Sequence, residues 1–404
     1  MTTRRQFIHG AAGLGTGLLT GGMPVSWAAL PGEARFLLVI LRGGLDGLAA
    51  FPPYGDPDFA AARGGLALPA PGRPGGAIRL DGRHGMHPSL APLSEFYERE
   101  EMLVLPAVAG PQRTRSHFDA QEVLENGLSH ANKGMEGWLN RALGHLQSGP
   151  DRLGLAIGYD FPLVLRGGVP VASWAPARLP PSDATLLDKV ERLYARDALF
   201  AKALKEGRTA KKMAGKVMDG SMKKGRGNLR SPGRFAALAA AAGRFLAEPA
   251  GARIAVLEMG GWDTHANQGV SEGRLARNLA PLADGLVQCR SQLGPAWNHT
   301  VIAVVTEFGR TVRMNGTRGT DHGTAGAAFL LGGAVAGGRV AGGWPGLSPE
   351  KLYTGRDLAP VIDMRAIFAG ILHEHLGVSC GKLRQSVFPA ADSPVNPSEG
   401  FIRT

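Results

Sequence analysis

The stretch RFLLVILRGGLDG, residues 35–47, decides the fold. Six consecutive apolar residues follow Arg35, and they do not alternate with polar residues as they would in a strand with one face in water. Such a run, rich in Val, Ile and Leu, predicts a strand buried on both faces, as strands are in a parallel sheet. The two glycines and Asp46 that follow predict a loop at the carboxyl end of this strand.

Further apolar runs of strand length occur along the chain, and helical patterns lie between them. The runs are MLVLPAVAG (102–110), RIAVLEMGG (253–261), TVIAVVTEFG (300–309) and AAFLLGG (327–333). Strands that alternate with helices indicate the doubly wound α/β class. We therefore expect a mostly parallel central sheet flanked by helices.

The domain organisation follows from the same patterns. Of the 404 residues, 44% are hydrophobic, which suits one large globular domain. We expect this domain to cover residues 29–404, with a helical, basic insertion at about residues 181–248.

The N-terminus, residues 1–28, has the pattern of a twin-arginine signal peptide. Arg4 and Arg5 precede an apolar, glycine-rich stretch, and the small residues Ser26 and Ala28 precede a plausible cleavage site. The apolar stretch is shorter than the ~20 residues that a spanning helix needs. We expect export by the twin-arginine machinery to the periplasm or outside the cell, with no stable membrane span.

The net charge of +11 is concentrated in one segment. Residues 202–234 contain eleven basic and two acidic residues without interleaved aromatic residues, which is only a weak argument for nucleic-acid binding, and we expect no nucleic-acid partner. A solvated face or a mobile basic lid is the expectation. The two cysteines exclude a disulfide scaffold and a cysteine-ligated zinc site, and leave open whether they pair with each other.

Polar residues of catalytic or metal-binding type follow each of the first four predicted strands. In an open parallel sheet, ligands bind at the carboxyl ends of the strands, so these residues are expected to lie close together. They are Asp46 after the first strand, Ser116 or Thr114 after the second, Asp263 and His265 after the third, and Glu307, Asp321 and His322 after the fourth.

Each of these residues also has a structural interpretation. Asp46 could form a turn or cap a helix, and Ser116 is well placed as a helix N-cap. Glu307 could form a surface salt bridge with Arg310. Asp321 and His322 could be only a hydrogen-bonded pair.

Four acids and two imidazoles without a thiolate favour Zn²⁺, Mn²⁺ or Fe over Mg²⁺ or Ca²⁺. Acids that share a crevice repel one another, and two divalent ions about 4 Å apart would neutralise them. Beside such ions Ser116 could act as a nucleophile, and Arg113 and Arg115 could hold an anionic substrate.

Several motifs resemble, in order and nearly end to end, those of the DUF1501 proteins. The motifs are LRGGLDGLAAFPPYGDP, RSHFDAQ, MGGWDTHANQ, TEFGRT with the later GTDHG, and DLAPVIDMRAIFAGIL. That family is similar to the alkaline phosphatase and sulfatase superfamily, which implies a parallel-sheet α/β fold with two metals and a Ser, Thr or modified Cys nucleophile.

The wider resemblance implies a role for each matching residue. Asp46 would be the metal ligand of the first strand, Ser116 the nucleophile, and Asp263 and His265 an Asp/His pair on one metal. Glu307 stands where the superfamily has an Asp-His pair, and His322 where it has a later single His. These departures put one of the two metal positions in question.

The leading hypothesis is a periplasmic, metal-dependent hydrolase of phosphate or sulfate esters that takes a small anionic ester as substrate. The alternative is a non-catalytic exported protein that keeps the fold and at most one structural ion, and binds an anionic envelope polymer through the basic insertion. A metal-dependent mutase or transferase acting on a phosphorylated sugar is a third hypothesis.

Overall fold

The computed structural model describes most of the chain. The described residues are 33–131, 134–146, 153–158, 160–176, 184–194, 197, 231–249, 251–389 and 394–403. The predicted signal peptide and most of the basic segment lie outside these residues, so those predictions stay open.

The structure contains eleven strands within the described residues. The strands are β1 (Arg35–Arg42), β2 (Ile78–Arg79), β3 (Gly85–Met86), β4 (Met102–Ala109), β5 (Gly154–Ile157), β6 (Ala172–Trp174), β7 (Ile254–Gly260), β8 (Thr300–Thr306), β9 (Gly326–Leu331), β10 (Arg339–Val340) and β11 (Ile362–Asp363). All five strands predicted from apolar runs are present.

The α-helices of the described residues lie between and around these strands. They are α1 (Gly47–Ala50), α2 (Phe59–Arg63), α3 (Ser94–Glu98), α4 (His117–Asn126), α5 (Trp138–Leu146), α6 (Ala184–Tyr194), α7 (Pro232–Ala247), α8 (Arg274–Leu293), α9 (Met364–Gly370) and α10 (Cys380–Lys382). Two π-helical segments, Ile371–His375 and Leu383–Val387, continue α9 and α10.

Nine strands form one mostly parallel sheet in the order β10-β4-β9-β8-β1-β7-β5-β6, with β11 paired to the same edge of β4 as β10. The strands β2 and β3 form a separate antiparallel pair. The mixed α/β class and the mostly parallel sheet flanked by helices are therefore confirmed.

The strand β9 runs opposite to its neighbours β4 and β8. No helix separates β8 from β9 in the chain, because residues 307–325 form only loops and isolated bridges. A parallel return to the sheet requires a crossover connection, usually a helix. The chain instead leaves and re-enters the sheet at the same edge, and β9 is antiparallel.

The central strand β1 explains why its sequence does not alternate. Phe36, Leu38 and Ile40 belong to the core on one face of the sheet, which α5 and α9 cover. Leu37 and Val39 belong to the core on the other face, which α7 and α8 cover. Both faces of β1 are therefore buried under helices.

Helix α7, the last part of the predicted insertion, packs closely on the sheet. Phe235, Leu238 and Leu246 are buried in the same core as the β7 residues Ala255 and Leu257. The domain boundaries proposed from the sequence remain predictions.

Two findings bear on the remaining sequence predictions. No helix within the described residues combines the length and apolar character needed to cross a bilayer. Cys289 is a buried free thiol and Cys380 a half-buried one, so the two do not form a disulfide in this structure.

A buried histidine predicts a dependence of stability on acidity. The ring of His375 donates from Nε2 to the carbonyl oxygen of Arg35 at 2.9 Å, and burial lowers the pKa of His375 to about 4 from the ordinary 6.5. Between these two values the unfolded chain binds the proton and the folded chain does not, so the free energy of unfolding falls as pH drops from about 6.5 to about 4.

We expect His375→Gln to reduce that fall by about 2 kcal/mol, since each pKa unit corresponds to about 1.4 kcal/mol. Denaturant unfolding at pH 7 and pH 4.5 measures the fall for both proteins. Burial also lowers the pKa values of His84 and His87, which account for part of the remaining dependence. An identical fall in the wild type and in the variant would contradict the assignment to His375.

Candidate metal centre

Four loops meet at the carboxyl ends of the strands of the sheet, because the strands that precede them run in the same direction. The strands β7, β1 and β8 are mutually parallel neighbours, and β4 has the same direction because β9 is antiparallel to both β4 and β8. The loops after β1, β4, β7 and β8 therefore leave from the same edge, as the sequence predicts.

At this edge four side chains converge, and we name them the Asp263 cluster: His117, Asp263, His265 and His322. Each of His117, Asp263 and His322 offers a ligand atom, and these three atoms lie within 4.8 Å of one another. The Nε2 atom of His265 lies 2.9 Å from His322 Nε2 and 3.0 Å from Asp263 Oδ1. The distance from His322 Nε2 to Asp263 Oδ1 is 3.3 Å.

Two of the imidazoles are oriented through their Nδ1 atoms. His322 donates from Nδ1 to the carbonyl oxygen of Arg115 at 2.8 Å. His265 donates from Nδ1 to Asp321 Oδ1 at 3.3 Å. Because the proton of each neutral ring lies on Nδ1, the lone pair lies on Nε2, and the two Nε2 atoms face each other.

The third imidazole, His117, is oriented by Glu307. The buried Oε1 atom of Glu307 accepts hydrogen bonds from His117 Nδ1 at 2.8 Å, Gln121 Nε2 at 2.9 Å and the backbone N–H of Gly43 at 2.8 Å. Burial alone would raise the pKa of Glu307, but the hydrogen bonds from His117 and Gln121 outweigh burial and lower it. Glu307 is therefore an ionised acceptor that directs His117 Nε2 towards Asp263, 3.6 Å from Oδ2.

A proton on His117 partly balances these charges in the metal-free protein. The carboxylates of Asp263 and Glu307 raise the pKa of His117 to about 9. Burial would raise the pKa of Asp263, but the nearby His117 ring and the hydrogen bond and charge of Arg310 lower it. The buried guanidinium of Arg310 donates from Nη1 to Asp263 Oδ1 at 2.7 Å.

The donor atoms of the cluster fit a divalent cation. Two imidazole lone pairs 2.9 Å apart repel each other unless a proton or a cation lies between them. His117 Nε2 is buried and has no hydrogen-bond partner. Histidine ligands of metals usually donate the other ring N–H to a carboxylate or a carbonyl oxygen, which is the arrangement of all three rings here.

Asp46 is not a member of the group of converging ligand atoms. Asp46 is the N-cap of α1 and accepts from the backbone N–H of Ala49 at 3.2 Å. Its Oδ2 atom accepts from Arg63 Nη2 at 2.5 Å and from Gln268 Nε2 at 2.7 Å. The capping interpretation therefore describes its observed contacts.

Two other predicted ligands, Asp321 and Glu307, contact imidazole rings of the cluster. Asp321 and Glu307 contact the cluster through the Nδ1 atoms of His265 and His117, not as members of the group of ligand atoms. The alternative interpretation of Glu307 as a salt-bridge partner of Arg310 does not describe the structure, in which Arg310 pairs with Asp263. The interpretation of Asp321 and His322 as a hydrogen-bonded pair is also wrong. Asp321 accepts from His265, and His322 donates to the carbonyl oxygen of Arg115.

Ser116 caps α4, where its Oγ accepts from the backbone N–H of Asp119 at 3.5 Å. The guanidinium of Arg115 is engaged by buried Asp357, with a distance of 2.6 Å between Nη2 and Oδ2. Arg113 is exposed and donates to the carbonyl oxygen of Gly110. The catalytic and anion-binding roles of these three residues remain predictions.

Sequence reasoning missed His117 and Arg310 as members of this centre. His117 directly follows Ser116 in the motif RSHFDAQ, at the start of the helix that follows a predicted strand, so the rule that identified Ser116 applied equally to it. Arg310 gave no such signal, since only the fold shows that a residue beside Glu307 is buried against Asp263.

A close backbone contact holds the loop that carries His265. A Cβ on Gly319 would lie 2.3 Å from the carbonyl carbon of His265, whereas a Cβ on Gly316 in the same loop would meet nothing within 4 Å. We expect Gly319→Ala to lower the free energy of unfolding by about 1 to 3 kcal/mol, the usual cost of overpacking.

The matched control is Gly316→Ala, which should change the free energy of unfolding by less than about 0.5 kcal/mol. Denaturant unfolding of the three proteins measures both effects. Equal stabilities of the two variants would show that the His265 and Gly319 backbones are not in contact.

Comparisons with known proteins give a family and distant similarity to solved structures. No curated protein matches the chain significantly. The crystal structure of the phosphonate monoester hydrolase of Agrobacterium radiobacter is 13% identical over 76% of this chain and 70% of that chain, with a TM-score of 0.33. A TM-score of this size establishes no common fold.

The family model described as "Protein of unknown function (DUF1501)" matches residues 87–384. This match spans more than half of the 404 residues and includes all four residues of the Asp263 cluster. The chain therefore belongs to the DUF1501 family.

Proposed function

We propose that this protein is a metal-dependent hydrolase of phosphate or sulfate esters. The observation that carries the proposal is the convergence of three imidazole Nε2 atoms on the Asp263 carboxylate, with every Nδ1 atom held by an acceptor. Clusters of this kind at the carboxyl edge of a parallel sheet are typical of catalytic metal sites.

The Asp263 cluster would hold a divalent ion, and its imidazoles favour Zn²⁺ or Mn²⁺ over Mg²⁺ or Ca²⁺. When bound, such an ion polarises an ester oxygen and stabilises negative charge that develops in the reaction. Asp321, Glu307 and the carbonyl oxygen of Arg115 keep the three rings in the orientation that leaves their Nε2 atoms free.

Ser116 is the proposed nucleophile because of its position in the chain. It lies between Arg115, whose carbonyl oxygen contacts His322, and His117, which belongs to the cluster. Its Oγ would form a bond to phosphorus or sulfur as the ester alcohol leaves, and water would then release the acid. As the N-cap of α4, it also stands where helix N–H groups favour an anion.

Arg113 and Arg115 complete the proposed substrate site. The exposed side chain of Arg113 can turn towards a bound anion without leaving a buried partner. Arg115 has a buried partner, Asp357, so its contribution would be to fix the loop before α4 and to add positive charge near the anion.

The proposal includes an alkaline phosphatase-like architecture and export by the twin-arginine machinery to the periplasm or beyond. Both rest on sequence motifs: the Asp263 and His265 pair for the first, and Arg4–Arg5 before an apolar stretch for the second. The proposed substrate is a small anionic ester, and neither nucleic acid nor a stable membrane span is part of the proposal.

Hydrolysis of 4-nitrophenyl phosphate and 4-nitrophenyl sulfate tests the function. Metal-depleted protein should be inactive, and Zn²⁺ or Mn²⁺ should restore release of nitrophenol from one of the two esters. Asp263→Asn should lower kcat/KM by more than about 100-fold, since even the loss of an outer partner of a metal ligand costs roughly 10- to 100-fold.

Ser116→Ala should abolish turnover through the covalent intermediate, which rapid-quench detection of phosphorylated or sulfated protein measures. The matched controls are Asp284→Asn and Ser379→Ala, which alter exposed residues outside the centre and should leave kcat/KM unchanged. Metal-dependent activity that survives in Asp263→Asn would contradict the proposal.

A further inference from the structure

The sequence predicts two divalent ions, and the ligands that the structure offers bear directly on that number. Two ions about 4 Å apart need ligands on both sides, and the sequence assigned Asp46 and Glu307 to that role. The contacts of these two carboxylates therefore decide whether a second ion has ligands.

Asp46 is fully used by internal partners. Its side chain is 1% exposed, and both oxygens accept hydrogen bonds, Oδ1 from Ala49 and Oδ2 from Arg63 and Gln268. A cation bound to Asp46 would have to displace one of these donors and would face the Arg63 guanidinium at close range.

Arg63 cannot move away at low cost. Its side chain is fully buried, and its Nη1 atom donates to the backbone carbonyl oxygens of Val312 at 2.9 Å and Thr311 at 3.2 Å. A buried guanidinium without its carboxylate partner is strongly destabilising. The Asp46–Arg63 pair is therefore a permanent part of the fold.

The Glu307 carboxylate, like that of Asp46, is buried and hydrogen-bonded to internal partners. Three donors occupy Oε1, and Oε2 lies 3.0 Å from the Thr306 hydroxyl, which also contacts the carbonyl oxygen of Leu41 at 2.8 Å. Its side chain is inaccessible to solvent. Glu307 therefore positions His117 and is not available as a ligand.

The remaining ligands suit one ion. The ligand atoms of Asp263, His265 and His322 are separated by 2.9, 3.0 and 3.3 Å. Atoms bound to a single Zn²⁺ at about 2.0 to 2.1 Å lie roughly 3.0 to 3.4 Å apart. These three atoms thus have the spacing of ligands on one centre.

We propose that the Asp263 cluster binds a single divalent cation, and that the Arg63 guanidinium takes the place of a second cation beside Asp46. This inference rests on the proposed metal site and adds its stoichiometry. The site is then mononuclear, and the buried guanidinium groups of Arg310 and Arg63 supply fixed positive charge to Asp263 and Asp46 respectively.

Titration of metal-free protein with Zn²⁺ tests the stoichiometry. Calorimetry and elemental analysis after gel filtration should both give one ion per chain. Two tightly bound ions per chain would overturn the inference and leave the proposed hydrolase intact. Failure to bind any ion would overturn the proposed function itself.

Two substitutions locate the ion. Asp46→Asn should keep one ion per chain with Kd changed less than about threefold, whereas Asp263→Asn should weaken binding by more than about 100-fold. Circular dichroism establishes whether the Asp46→Asn protein is folded. Loss of the ion by the folded variant would overturn the inference.

A second variant keeps the test decisive if Asp46→Asn does not fold. The double variant Asp46→Asn/Arg63→Met removes both buried charges together and avoids an unpaired guanidinium. It should again bind one ion, and loss of Zn²⁺ binding by the folded double variant would overturn the inference as well.

Discussion

Charge balance around the Asp263 carboxylate is the constraint on which the centre depends. Its Oδ1 atom lies within 3.3 Å of a guanidinium nitrogen and two imidazole nitrogens, and a third imidazole faces Oδ2. One carboxylate can lie beside this many nitrogen atoms only if the protonation of the rings is controlled. The acceptors on their Nδ1 atoms provide that control, so loop residues that never touch an ion determine what Asp263 and the rings can bind.

Buried ion pairs tie the loops of the centre to the sheet. Arg42, at the end of β1, donates to Glu258 on β7 and lies 2.7 Å from Glu125 on α4. Helix α4 begins with His117, so this contact helps to fix the position of that ring relative to the sheet. Arg115 acts similarly through Asp357, because the same residue offers its carbonyl oxygen to His322. Removing one partner of a buried ion pair costs more than the pair itself contributes, so these contacts help to hold the loops against the sheet.

The principal strands and much of the centre could be predicted from the sequence, because two physical rules apply directly to its pattern of apolar and polar residues. Apolar runs without alternation identified the five principal strands, and the rule that loops gather at the carboxyl ends of parallel strands brought Asp263, His265 and His322 together. The direction of β9 could not be predicted from its composition. It depends on how the chain returns after a loop that contains no helix.

The roles of the individual carboxylates could not be predicted for a different reason. Asp46 and Asp263 each follow a strand and a glycine, and nothing local distinguishes them. Each carboxylate pairs with a buried guanidinium, that of Arg63 or Arg310, but the Asp46 side chain is 1% exposed whereas that of Asp263 is 40% exposed and faces the imidazoles of the cluster. Long-range burial of a charge is a property of the whole fold, so a ligand and an internal ion-pair partner have the same appearance in the sequence.

The position of β1 in the sheet has a consequence for how this chain folds. Phe36 pairs with Ile254 of β7 on one side and Val301 of β8 on the other, partners that follow it by more than 200 residues. Contacts of such high sequence separation form slowly, because a long loop must close before they stabilise the chain. During synthesis the central strand therefore has no strand partner until β7 is complete at residue 260, about two thirds of the way along the chain, and it gains its second partner only with β8. The yield of folded protein is therefore expected to depend on whether a chaperone protects this segment, and less on how fast the local helices form.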